Sequence, residues 1–237
     1  ERLVLVADCG GGIDTTTTVT ITNSTSSGNS PFSGGGINNG GGTVTITNST
    51  ISGNTAIGPG GNSDSGGGIL TNVGTVTLTN STISGNSGDF GGGIRNINGG
   101  TVISKNTIMA LNTSPSGPDV NGPLTSQGFN LIGNPSGATI SPTKVSDQIG
   151  TAAKPIDPLL YQLQNDGGRT FTRALRSGSP AIDKGTSDGL TGQLTADQRG
   201  AAFLRTFDDP AITNATGGDG TDIGAFELFV PSTPTPT

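Results

Sequence analysis

The chain has 237 residues, of which 42 are glycine and none is histidine or tryptophan, and its 11 Lys plus Arg against 17 Asp plus Glu leave a net charge of −6. The missing histidine excludes every mechanism that needs imidazole, and the single cysteine, Cys9, excludes an intrachain disulfide or a multi-cysteine metal site. The scattered basic residues argue against a nucleic-acid partner, and no apolar run is long enough for membrane insertion within this segment.

Glycine stands far above the roughly 7% of an average soluble domain, which by itself would suggest a disordered linker. A repeat argues otherwise. The opening ERLVLVADCG reads as strand, with Cys9 a small core or turn residue. GGGI then recurs, starting at Gly10, Gly34, Gly66 and Gly91. After each copy comes a second landmark: TVTITNSTSSGN ending at Asn29, TVTITNSTISGN ending at Asn54, TVTLTNSTISGN ending at Asn86, and a degraded TVISKNTIMALN ending at Asn112. Within each copy, Val and Ile or Leu alternate with Thr, which is the period of a strand with one buried face.

A period near 25 without helical patterning predicts an all-β right-handed parallel β-helix, a solenoid of about three short strands per coil with an irregular C-terminal cap. Stacking then sets Val on Val and Ile on Leu inside. Thr18, Thr20, Thr22, Thr43, Thr45, Thr47, Thr75, Thr77 and Thr79 form an outer ladder. Asn23, Asn48, Asn80 and Asn106 close one strand of each coil, and Asn29, Asn54, Asn86 and Asn112 follow six residues later. Both sets are predicted to be structural asparagine ladders that hydrogen-bond along the stack. Residues 58–65 and 115–123 read as loops extruded from the coils.

Past residue 134 the period fades. Residues 1–134 are assigned to the repeats, 135–229 to a continuation and cap, and 230–237 (VPSTPTPT) to a Pro/Thr-rich linker or stalk. Asp197 with Arg199, and Asp222 with Glu227, are expected to brace the cap. Phe203, Phe207, Phe226 and Phe229 are expected to plug the end of the core. Asp208, Asp209, Asp219 and Asp222 are weak candidates for a Ca²⁺ site, with no other cofactor or metal indicated.

The NSTISGN and GGGI repeats resemble the parallel β-helix repeats of large secreted and surface proteins of bacteria. The second half resembles the choice-of-anchor Q domain, through Asn165-Asp-Gly-Gly-Arg-Thr170, Gly178-Ser-Pro-Ala-Ile-Asp183, Asp197-Gln-Arg-Gly200 and Asp222-Ile-Gly-Ala-Phe-Glu227. The resemblance implies a secreted or cell-surface location and no catalytic residues.

The expected function is therefore a non-catalytic extracellular structural or adhesive protein that displays loops on a rigid solenoid. Its expected partners are surface glycans, a host or neighbouring-cell surface, or copies of itself. Two alternatives stand beside it. The Thr-x-Thr array, with hydroxyls roughly 7 Å apart along a strand and about 4.8 Å between strands, resembles the ice-binding faces of β-solenoid antifreeze proteins. A carbohydrate-active lyase or hydrolase would need paired carboxylates. The repeats offer only Asp8, Asp14, Asp64 and Asp89, with Asp89 and Arg95 as a single candidate couple.

Overall fold

The computed structural model describes residues 11–58, 64–189 and 192–229. Cys9, Asp8, the centre of the 58–65 segment and the 230–237 tail lie outside the described residues. The first copy of the repeat gives β1 (Ile13–Thr15), β2 (Thr18–Thr22) and β3 (Thr25–Ser27). The second gives β4 (Ile37–Asn39), β5 (Thr43–Thr47), β6 (Thr50–Ser52) and a short β7 (Thr55–Ala56). The third gives β8 (Ile69–Asn72), β9 (Thr75–Thr79), β10 (Thr82–Ser84) and β11 (Ser87–Gly88). The fourth gives β12 (Ile94–Ile97), β13 (Thr101–Lys105) and β14 (Ile108–Ala110). Then follow β15 (Val120–Ser126), β16 (Leu131–Ile132), β17 (Ala138–Ile140) and β18 (Gln148–Ile149).

Every pair of these strands is parallel, and the copies lie side by side in register. Val19 faces Val44, Val44 faces Val76, and Val76 faces Val102. Ile37, Val44, Ile46, Ile69, Val76, Leu78 and Ile94 are fully buried in one core. Each such side chain stabilises by roughly 1.5–3 kcal/mol, so a narrow core with few large residues suffices to hold the chain. GGGI is a sequence of close approaches. A Cβ on Gly35 would lie 1.9 Å from the Gly67 carbonyl oxygen, and one on Gly67 would lie 2.4 Å from that of Gly92.

The expected right-handed parallel β-helix of separate, open coils is corrected by β15. In the fourth copy the chain turns a corner between β12 and β13 through Asn98 and Gly99, both at positive φ, with the Gly100 amide donating to Ile97 O at 2.9 Å. The next copy has no such corner. Ile94 pairs with Val120, an offset of 26, whereas Ile103 pairs with Thr125, an offset of only 22. Four residues are missing, and the chain runs straight through Gly122 and Pro123 as one seven-residue strand.

β15 therefore fuses two faces into a single ten-stranded sheet, ordered β1-β4-β8-β12-β15-β13-β9-β5-β2, with β17 paired to β15 off this path. The two ends of the path, β1 and β2, are separated only by Thr16 and Thr17. The sheet thus returns to its own start as a nearly closed, barrel-like wall around the core. A six-stranded sheet (β18-β16-β14-β10-β6-β3) and a two-stranded one (β11-β7) complete the parallel structure.

The 115–123 segment, expected to be displayed as a loop, is built into the wall, while 59–63 of the other segment lie outside the described residues. In 115–123, the Gly117 and Pro118 carbonyls accept from Gly92 and Gly93, Asp119 is buried, and Val120 begins β15. At the ends of 58–65, Gly58 N donates to Asp89 and the buried Ser65 hydroxyl donates to Ala56 O. The adhesive display role falls with the open coil that was to carry it.

Residues 157–189 and 192–229 form a layer of turns and isolated antiparallel bridges, such as Leu160 with Leu175 and Ala196 with Leu204. This layer lies along the outer face of the six-stranded sheet. That face is Thr25, Thr50 and Thr82 at first, then Ile108 and Leu131. Ile108 and Leu131 join Leu160, Leu175, Ala181, Ile182 and Ile223 in a second core. At the polar end, Gln198 stitches the layer to the sheet. Its amide nitrogen donates to Ser24 O and the Thr25 hydroxyl, and its oxygen accepts from the Thr50 hydroxyl at 2.6 Å.

Candidate functional site

The outer face of the wall carries the threonines. Their side chains alternate with the buried Val and Ile of β2, β5 and β9, so the strand period alone puts them outside. Register then aligns them in rows: Thr18, Thr43 and Thr75; Thr20, Thr45 and Thr77; Thr22, Thr47 and Thr79. Thr18, Thr20, Thr22 and Thr43 are exposed, and Thr45, Thr47, Thr75 and Thr77 are half-buried. Thr79, at 2% exposure, is buried, so the array loses that corner. Among the described residues, no hydroxyl of these nine is hydrogen-bonded to another part of the protein. On β13 the rows end in Thr101, Ile103 and Lys105.

The two asparagine sets have different surroundings. Asn23, Asn48, Asn80 and Asn106 all sit at positive φ, between 46° and 49°, where asparagine is the least strained residue after glycine. Asn48 and Asn106 donate outward, to Ala196 O and Asp222 O of the layer. The side-chain amide of Asn80 is buried without a partner. Asn29, Asn54, Asn86 and Asn112 form a continuous chain instead. Each side-chain nitrogen donates to the next side-chain oxygen, at 2.8, 3.0 and 2.9 Å. Each backbone amide donates to that same oxygen. The chain ends on Asp119, whose Oδ1 accepts both nitrogens of Asn112 and whose Oδ2 accepts Asn134 N. Burial pushes the Asp119 carboxyl up, and these donors pull it back. Asp119 was not visible as the end of the ladder, because it lies only seven residues beyond Asn112 and not a full repeat away.

Among the described residues, the acids of the repeats do not gather. Asp14 accepts from Asn38, Asp89 accepts from Gly58 N, and the Arg95 guanidinium stacks 4.3 Å from the centre of the Phe90 ring.

The layer holds most of the buried ionisable groups. Its four sequence landmarks meet at one centre. Asp222 Oδ1 accepts Asp183 N, Asp197 Oδ2 accepts Glu227 N, Gln198 N donates to Ala225 O, and the Thr170 hydroxyl accepts from Gln198. Asp197 and Arg199 form an ion pair at 2.7 Å. Glu227 has its charged partner in the fully buried Arg205, at 3.8 Å, and accepts the amides of Phe207 and Asp222. Burial pushes the carboxyls of Asp222 and Glu227 well above the ordinary range, with Arg205 opposing. The aromatic residues do not plug an end. Phe203, Phe207, Phe226 and Phe229 line a surface cleft of about 490 Å³, with Arg199 stacked between Phe203 and Phe226 at 4.0 and 3.8 Å.

The four Ca²⁺ candidates do not converge. Both oxygens of Asp222 and both of Asp219 are taken by protein donors. Burial works to raise Asp219, but hydrogen bonds from Ser187 and Thr221 hold its carboxyl below the ordinary value. Among the described residues, no three acidic or cysteine side chains are grouped to hold a metal.

Comparison with protein-family models, with curated proteins and with solved structures finds no match. The resemblance to bacterial β-helix repeat proteins with a choice-of-anchor Q domain is corrected accordingly. No family model supports it, and the near-closed sheet differs from the open coil it implied.

Proposed function

We propose that the outer face of the wall is an ice-binding surface. The observation that carries this reading is the register of β2, β5 and β9, which turns a Thr-x-Thr pattern into a two-dimensional array of hydroxyl and methyl groups. Rigid spacing favours a partner that is itself a flat lattice, because an ordered array loses little entropy on binding one. Hydroxyls without partners in the protein are available to order water across the face. Ile103 and Lys105 bound the array on one side. On this reading the chain acts by adsorption, without catalysis, and works outside the cell, where ice grows.

Inhibition of ice recrystallisation and thermal hysteresis test it. The wild-type chain is expected to slow recrystallisation. Thr45→Lys, at the centre of the array, is expected to abolish the effect while leaving the unfolding midpoint nearly unchanged. No activity of the wild-type chain at millimolar concentration would contradict the proposal.

A further inference from the structure

Two buried side-chain oxygens of the layer, on segments joined by backbone hydrogen bonds, have no partner. Asp183 is fully buried and sits at φ 55°, an unusual conformation for aspartate. Its Oδ2 accepts Asp209 N at 3.1 Å, while its Oδ1 has no partner. Its backbone carbonyl accepts Ala215 N, and the residue before Ala215, Asn214, buries its own side-chain oxygen without a partner. An unsatisfied buried acceptor costs about 1–3 kcal/mol, so two acceptors left on adjoining segments need a reason. Asp208 and Asp209 add negative charge. Burial first, then these two carboxylates, push the Asp183 carboxyl up to about 6. The Lys184 cation opposes them, and its ammonium group is turned to Thr213 O.

We propose that this cluster binds a hard divalent cation, Ca²⁺, through Asp183, Asp208 and the side-chain oxygen of Asn214. Carboxylate and amide oxygens, without nitrogen or sulfur, are the donor set that Ca²⁺ prefers, and backbone carbonyls and water complete its coordination. Asp219 and Asp222, already filled by protein donors, take no part. A cation here would tie segments 183–184, 208–209 and 213–215 together and satisfy the orphaned oxygens.

Equilibrium dialysis of the chelator-treated full chain against Ca²⁺, with thermal unfolding in parallel, tests the site. The wild-type chain is expected to retain a single ion and to unfold at higher temperature in Ca²⁺, reversibly with chelator. Asp208→Asn and Asn214→Ala are expected to weaken retention at least tenfold, yet to match wild type once calcium is removed. Asp157→Asn, on an exposed acid of the same layer, serves as the control and is expected to bind as wild type does. Failure of the wild-type chain to retain an ion at millimolar Ca²⁺ would overturn the proposal. So would undiminished binding by both site variants.

Discussion

The wall and the layer both bury polar side chains, but they satisfy them differently. In the wall the buried groups are neutral. Asn54 and Asn86 donate and accept within a chain of identical amides, and a carboxylate enters only at the end, as Asp119. In the layer they are largely ionisable: Asp183, Asp197, Arg205, Asp222 and Glu227 are all buried. A neutral ladder can be extended by copying the same residue, since each amide is both donor and acceptor. A charged centre cannot be copied. Each of its ions needs a particular partner from elsewhere in the chain, which is why the layer draws on four separate landmarks. Away from the Asp119 end, the wall should therefore be insensitive to pH, and the layer should not.

The sharpest way to break this contrast is Arg205→Ala. It leaves Glu227 buried without its cation, which should destabilise the layer by about 3–5 kcal/mol in urea unfolding. A loss near zero would mean that the buried charge contributes little. Next comes Asn86→Ala, which removes the acceptor of the Asn54 backbone nitrogen and one of the two acceptors of its side-chain nitrogen. A loss of about 2–4 kcal/mol is expected, with the same size at every pH tested. Third is the pH dependence of the layer itself. The Asp183 carboxyl is raised to about 6 in the folded protein, against about 3.9 in an unfolded chain. The folded state then holds the proton more tightly. Its contribution is fully present below about pH 4 and is lost as pH rises through about 6. In chelator-treated protein, amide exchange should thus show weakening protection in the layer over that window and constant protection in the wall away from Asp119. The smallest effect on stability is expected from Thr20→Lys, at an exposed position of the array, within about 0.5 kcal/mol, as for most surface substitutions.

Parts of this architecture are legible in the sequence. The alternation of Val19 and Ile21 with Thr18, Thr20 and Thr22 fixes which face is buried, and recurrence near 25 residues fixes which copies pair. The all-parallel pairing follows, because strands one repeat apart run in the same direction. The nearly closed sheet is not legible in the same way. It depends on the loss of a four-residue corner between Asn121 and Leu124, in a copy that no longer matches its predecessors. The segment 115–123 looks like a loop by its Pro and Gly content, but its backbone groups are used by Gly92 and Gly93. The covering of the six-stranded sheet has a faint signal. Outer Thr25, Thr50 and Thr82 give way to Ile108 and Leu131, a change that only burial explains. The surplus oxygens at Asp183 and Asn214 carry no sequence signal, since the two residues lie 31 apart and their segments are joined only by the fold, through Ala215 N on Asp183 O.

Ice-affinity partition tests the functional account most directly. The full chain, fluorescently labelled, is frozen slowly from dilute solution and measured in ice and in liquid. Wild type should be enriched in the ice. Thr20→Lys and Thr45→Lys should be excluded from it, and Asn38→Lys, on β4 outside the threonine array, should be enriched like wild type. Equal exclusion of all four proteins would contradict ice binding, and equal enrichment would contradict its assignment to the threonine face.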